Sequence, residues 1–110
     1  MPEVNKTDHI FVKENGTMTR LKYDDILYFE AWGDYVKVHC KNKVCVVNST
    51  MKSIEDKLQN NQLFLRIHRT FHINIYYLES FDTDTAIVFN KTIPIGHKYR
   101  PELQNRLMII

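Results

Sequence analysis

The sequence predicts a mostly-β fold, an elongated, sandwich-like arrangement of short antiparallel strands with one short helix. Three observations carry that prediction. Apolar residues recur with period two over most of the chain. Turn signals such as Asn15-Gly16, Gly33-Asp34 and Asp82-Thr83-Asp84 interrupt them at short intervals. One segment, residues 51–58, has helical rather than strand periodicity.

In chain order, Ile10 and Val12 alternate with Phe11 and Lys13 before Asn15-Gly16, the strongest short hairpin signal, and residues 18–23 return as its partner strand. Asp24-Asp25 breaks that strand, and Ile26-Leu27-Tyr28-Phe29 begins a largely buried one that ends at Gly33-Asp34. Val36, Val38 and Cys40 then share one face, with Tyr35, Lys37 and His39 on the other. A two-residue turn at Asn42-Lys43 would set Cys40 directly opposite Cys45, as two small apolar neighbours. Ser49 or Thr50 can cap the helix, on which Met51, Ile54 and Leu58 form a narrow apolar stripe. The opposite side mixes Lys52 and Lys57 with Glu55 and Asp56, unlike a basic recognition helix.

Beyond the helix, Leu63, Leu65, Ile67, Phe71, Ile73 and Ile75 keep one odd-numbered apolar phase. Arg69 falls on that same phase. A continuous strand would drive its guanidinium into the apolar side, which is very unfavourable for an unpaired charge. The chain is therefore expected to leave the strand at residues 68–70, as a bulge or tight loop that turns Arg69 outward. Strands at 76–81, 85–89 and 92–95 follow, the last two joined by a turn at Asn90-Lys91. A loop bears His97, Lys98 and Arg100, and Pro101 suits the first turn of a short tail helix.

A chain of 110 residues supports one domain, expected at 9–110 behind a leader or linker at 1–8. With 44% hydrophobic and 25% charged residues it has an ordinary globular composition, and no apolar run is long enough to span a membrane. The expected location is cytoplasmic. Net charge is only +2, but residues 58–78 and 87–101 contain no acid while holding Arg66, His68, Arg69, His72, Lys91, His97, Lys98 and Arg100. Two solvated basic segments or a nucleic-acid face would both produce this pattern.

Catalysis is poorly supported. His68-x3-His72 would suit a metal on a helix but lies in strand and loop pattern, and no phosphate-cradling loop or nucleophile elbow is present. No enzyme activity, cofactor or metal is expected. Arg69 can make a bidentate contact to guanine, and Lys98 and Arg100 can neutralise phosphates. Trp32, just before Gly33, is either an exposed stacking surface or a loop anchor packed on the core.

The blocks Asp25-Ile26-Leu27-Tyr28-Phe29-Glu30-Ala31, Gly33-Asp34-Tyr35-Val36-Lys37-Val38-His39, Ser53-Ile54-Glu55, Phe64-Leu65-Arg66-Ile67-His68-Arg69-Thr70-Phe71-His72-Ile73-Asn74 and Ile93-Pro94-Ile95-Gly96 with Tyr99-Arg100 resemble, in order and spacing, the LytTR family of bacterial DNA-binding domains. The resemblance implies the output domain of a two-component response regulator. A receiver domain would lie in the full-length protein, and double-stranded DNA would be bound through loops in successive major grooves, often at paired direct repeats, with a homodimer possible on DNA. It places DNA contacts near Tyr35, at Arg69 and around His97-Lys98. It gives His68 and Asn74 the role of loop supports. Lys37, Arg66 and Arg100 are expected at phosphates. The family commonly shows Ser-Arg where this chain has Gly96-His97, so the choice among His97, Lys98 and Arg100 stays open. The alternative is a β-rich protein-interaction module without sequence-specific DNA binding.

Overall fold

A computed structural model of the chain describes residues 8–110, so the expected leader, Asp8 apart, lies outside the described residues. Ten strands run in the order β1 His9–Glu14, β2 Thr17–Lys22, β3 Ile26–Trp32, β4 Tyr35–Cys40, β5 Val44–Val47, β6 Phe64–His68, β7 Phe71–Asn74, β8 Leu78–Phe81, β9 Thr85–Val88 and β10 Lys91–Pro94. Helix α1, Met51–Leu58, separates β5 from β6, and α2, Arg100–Arg106, follows β10. Among the described residues no helix is long and apolar enough to cross a membrane.

The centre is a five-stranded antiparallel sheet in the order β5-β4-β3-β7-β6. Its two faces are buried by different layers. On one, Phe29, Val36, Val38 and Phe64 pack with Val12 and Leu21 of the β1–β2 hairpin and Met51 and Leu58 of α1. On the other, Leu65, Ile67 and Ile73 pack with Ala86, Val88 and Ile93 of the β8–β10 sheet and with Leu103 of α2. Strands β3, β7 and β6 thus lie between two cores, which is why the start of β3 reads as a continuous apolar run, whereas β4, covered by the first core alone, keeps a clean alternation.

Two irregularities follow from that double burial. The β3–β4 register shifts between Ile26 and Tyr28, so that consecutive Leu27 and Tyr28 both serve the second core while Ile26 and Phe29 serve the first. The β6–β7 register shifts between Arg66 and His68, at fully buried Ile67, and a two-residue turn, Arg69-Thr70, closes the hairpin. The strand break expected at 68–70 is therefore a bulge followed immediately by a tight turn, and it leaves Arg69 exposed.

Thr50 is the helix cap, its hydroxyl accepting from the Ser53 N–H at 3.1 Å. Asn15 and Gly16 both take positive φ (52° and 81°), the pattern of a type I′ hairpin turn. The Glu14 carboxylate accepts the Val46 N–H at 2.9 Å, covering part of the otherwise open β5 edge.

Two expectations are corrected. Cys45 stands opposite Val38, not Cys40, because the turn falls at Lys41-Asn42 and the Cys40 N–H bonds to Lys43 O at 2.8 Å. Both thiols stay buried on the first core. Burial, followed by the neighbouring Cys45, pushes Cys40 up to about 11, so it is held as a thiol. The β9–β10 turn is Phe89-Asn90, one residue early, with φ of 48° and 69°. The strained Phe89 is held by its N–H bond to Tyr77 O, by edge packing on the Tyr77 ring at 5.5 Å, and by Glu79 accepting the Asn90 N–H. The short tail helix expected behind Pro101 forms as α2, with Pro101 in its first turn.

Asn74 and His72 are the two buried polar side chains of the core. Asn74 is fully buried. Its amide donates to Tyr23 O and Ile26 O at 3.0 and 2.8 Å and accepts the Tyr76 N–H at 3.0 Å. It thereby ties the turns before β3 and after β7 together. Neither ring nitrogen of His72 has a hydrogen-bond partner, and the ring meets Phe29 edge-on at 5.9 Å. Burial, then the nearby Arg66 and Arg106, lowers its pKa to about 4. Among the described residues no three potential metal ligands cluster, and His68 and His72 are strand residues.

Asn74→Ala strands three backbone groups and is expected to destabilise the fold by about 3 kcal/mol in urea denaturation; a change under about 1 kcal/mol would show those bonds to be dispensable. Unfolded His72 takes up its proton near pH 6.5, but folded His72 only near pH 4. Its contribution is therefore fully present above about pH 6.5 and is lost as pH falls toward 4, by about 3 kcal/mol at most. His72→Phe should flatten that part of the acid-side stability curve, and superimposable curves would contradict the assignment.

Candidate nucleic-acid interface

Three tight turns meet at one end of the central sheet. The first, Gly33-Asp34, joins β3 to β4, with Gly33 at φ 61° as the leading residue of the turn. The second is Arg69-Thr70. It is tied to the first by the Ala31 N–H, which donates to Thr70 O at 2.8 Å. The third is the loop after β10, where the Gly96 N–H donates to Ile67 O at 2.8 Å, beside the second turn. A side chain at Gly96 would sit 3.0 Å from the Tyr99 ring and 3.7 Å from His68 Cα, so the close approach of these loops suits glycine.

Arg69 projects from this end with its side chain exposed. The turn that carries it is braced from below by two side chains. His68 Nδ1 accepts the Thr70 N–H at 3.1 Å, and burial, then Arg69 and Arg66, lowers the pKa of that ring. The lowered pKa keeps the ring neutral, and the bond from Thr70 selects the tautomer with its proton on Nε2, which leaves Nδ1 able to accept. Arg66 donates through Nη2 to Arg69 O at 2.6 Å, through Nε to His68 O at 3.4 Å, and through Nη1 to Glu55 Oε1 at 2.9 Å. Its side chain is only 16% exposed. The geometry favours a bracing role for Arg66 over the expected phosphate contact, since three of its five N–H donors are held by the protein and the side chain is largely buried.

The expected residues divide clearly. Tyr35, Arg69, His97 and Lys98 are exposed on the three turns, with Arg100 half-buried at the start of α2. Lys37 lies one rung behind Tyr35 on β4, its ammonium 4.0 Å from the Trp32 ring centre. Lys98 lies 5.1 Å from the Tyr99 ring centre, and the Arg66 guanidinium 5.8 Å from it. Asn74 is not beneath the Arg69 turn: it sits at the opposite end of β7, paired with Phe64, and supports the loops there.

Trp32 takes the exposed alternative of the two that the sequence offered, not the loop anchor. It is 52% exposed rather than anchored on the core, and it pairs across the turn with Tyr35, 47% exposed. Its position immediately before a two-residue turn is the signal, because the last pair of a hairpin extends past the layers that cover the sheet. The three turns together hold one acid, Asp34.

A sequence profile of the LytTr DNA-binding domain matches residues 16–108. Among solved structures, the chain is similar to the LytTr DNA-binding domain of a response regulator from Bacillus cereus, with a TM-score of 0.72 and 14% identity, over 90% of this chain and 95% of that one. At that identity the likeness speaks to the fold. No curated protein matches the chain. The profile spans β2 through α2 and includes all three turns, and on that match the chain belongs to the LytTR family of DNA-binding domains.

Proposed function

We propose that this domain binds double-stranded DNA sequence-specifically to regulate transcription, as the output domain of a two-component response regulator in the cytoplasm. The observation that carries the reading is the convergence of three hydrogen-bonded turns, bearing Trp32, Tyr35, Arg69, His97 and Lys98, at one end of a rigid sheet. Binding residues held on loops above a stiff scaffold need little ordering when they meet a ligand. Arg69 reads a base edge in the major groove, and Tyr35 and His97-Lys98 add groove contacts. Lys37 and Arg100 neutralise phosphates, while Arg66 and His68 brace the Arg69 turn. A receiver domain in the full-length protein would control the unit, and paired direct repeats would seat two copies on DNA.

A second reading, a protein-interaction module, draws on one observation. The outer side of the β1–β2 hairpin exposes Phe11 (51%) and Met18 (58%) beside Lys13 and Arg20. Selection from random duplex DNA separates the two. A recurrent motif supports the first reading, and no enrichment at moderate salt supports the second.

On a selected site, Arg69→Ala should cost about 1–3 kcal/mol and relax preference at one base pair; unchanged affinity and selectivity in a salt-controlled assay would remove Arg69 from that role. Lys98→Ala should weaken binding to all sequences and reduce the slope of log affinity against log salt by about one. An unaltered slope would show a lysine that touches no phosphate.

A further inference from the structure

We infer that Glu55, on helix α1, is a positioning residue for DNA recognition, acting through Arg66 on the Arg69 turn. The inference rests on the reading proposed above. Among the described residues, the hydrogen bond and ion pair that Glu55 makes go to Arg66 and not to the three turns. Its carboxylate accepts from Arg66 Nη1 at 2.9 Å, and the same guanidinium reaches Arg69 O and His68 O. The chain of contacts therefore runs from helix to guanidinium to the backbone of the base-reading turn.

Arg66 needs this partner. Its guanidinium is mostly buried, and the cleft it shares with His72 also holds Lys98 and Arg106, both cationic. The other acid lining that cleft, Glu102, is within 3.4 Å of Arg106. Glu55 is thus the carboxylate that compensates Arg66. Without it, a guanidinium beside two other cations and a neutral imidazole would turn toward solvent, and the two turn carbonyls would lose their donor. Arg66 also packs against the Tyr99 ring, so the loop carrying Lys98 shares the support. A planar guanidinium with several donors can hold an acid and two carbonyls together in a way that a lysine cannot.

The inference has a sign that separates it from simple electrostatics. Removing an acid from a protein that binds a polyanion ordinarily tightens binding. Loss of a positioning contact weakens it and blurs base selection. Glu55→Gln, which keeps the side-chain shape, should bind a site selected by the wild-type domain about three- to tenfold more weakly. It should lose a comparable factor of discrimination at the base pair read by Arg69, with the salt slope unchanged. Glu55→Asp should recover part of both. In an Arg69→Ala background, Glu55→Gln should cause no further loss of discrimination. All forms are compared well below their melting temperatures, so a fold that is merely less stable would leave selectivity intact. If wild-type protein selects no motif, the functional reading and this inference fall together. If it does select one, and Glu55→Gln binds equally or more tightly with unchanged selectivity, the inference alone is overturned.

Discussion

Three strands of the central sheet, β3, β7 and β6, are buried on both faces, and most of what distinguishes this molecule follows from satisfying two cores with one set of strands. A strand alternates strictly, so it can serve two cores only if its apolar residues are distributed to both sides. β3 and β6 do this and each breaks phase once, between Ile26 and Tyr28 and between Arg66 and His68. The second break has the larger consequence. Ile67 stays fully buried while the chain turns at once into Arg69-Thr70, so the residue that would have entered the second core is delivered to solvent. The exposed Arg69 turn and the packing of the sheet have the same origin.

The second and third turns at this end are bonded to the strands beneath them. Ala31 holds Thr70, Ile67 holds Gly96, His68 holds Thr70, and Arg66 holds the carbonyls of His68 and Arg69. Each bond contributes little to global stability. Together they restrict the backbone under Arg69, which shortens the ordering needed when that side chain meets a ligand. Asn74 performs the corresponding task at the far end of β7, where it joins the turns flanking β3 and β7.

How much of this was legible in the sequence depended on whether a residue broke a pattern. Arg69 could be found because a charge stood in an apolar phase, and helix α1 because Thr50 and its apolar stripe mark both its start and its face. The bulge after Ile26 could not be found, since both Leu27 and Tyr28 are apolar and no parity is visibly violated. The Cys40–Cys45 register slipped by two residues, a shift that keeps every side chain on its expected face and so leaves no trace in the pattern. Phe89 adopts a left-handed backbone only because Tyr77 and Glu79, distant in sequence, hold it there. The commitment of Arg66 to Glu55 spans 11 positions between helix and strand, beyond any local spacing rule. The resemblance to LytTR domains supplied the positions of the loops expected to face DNA, but the inward turn of Arg66 and the exposure of Trp32 needed three dimensions.

The central claim is that the three turns together form the surface that meets DNA. Titrating isotope-labelled protein with a duplex selected by it, and following backbone amide shifts by NMR, tests this directly. The account predicts that the largest changes cluster at residues 32–35, 69–70 and 96–98, and that the β1–β2 hairpin around Phe11 and Met18 and the β8–β9 turn at Asp82 and Asp84 are left nearly unmoved. Changes concentrated on the hairpin or the β8–β10 sheet, with the Arg69 turn silent, would contradict it.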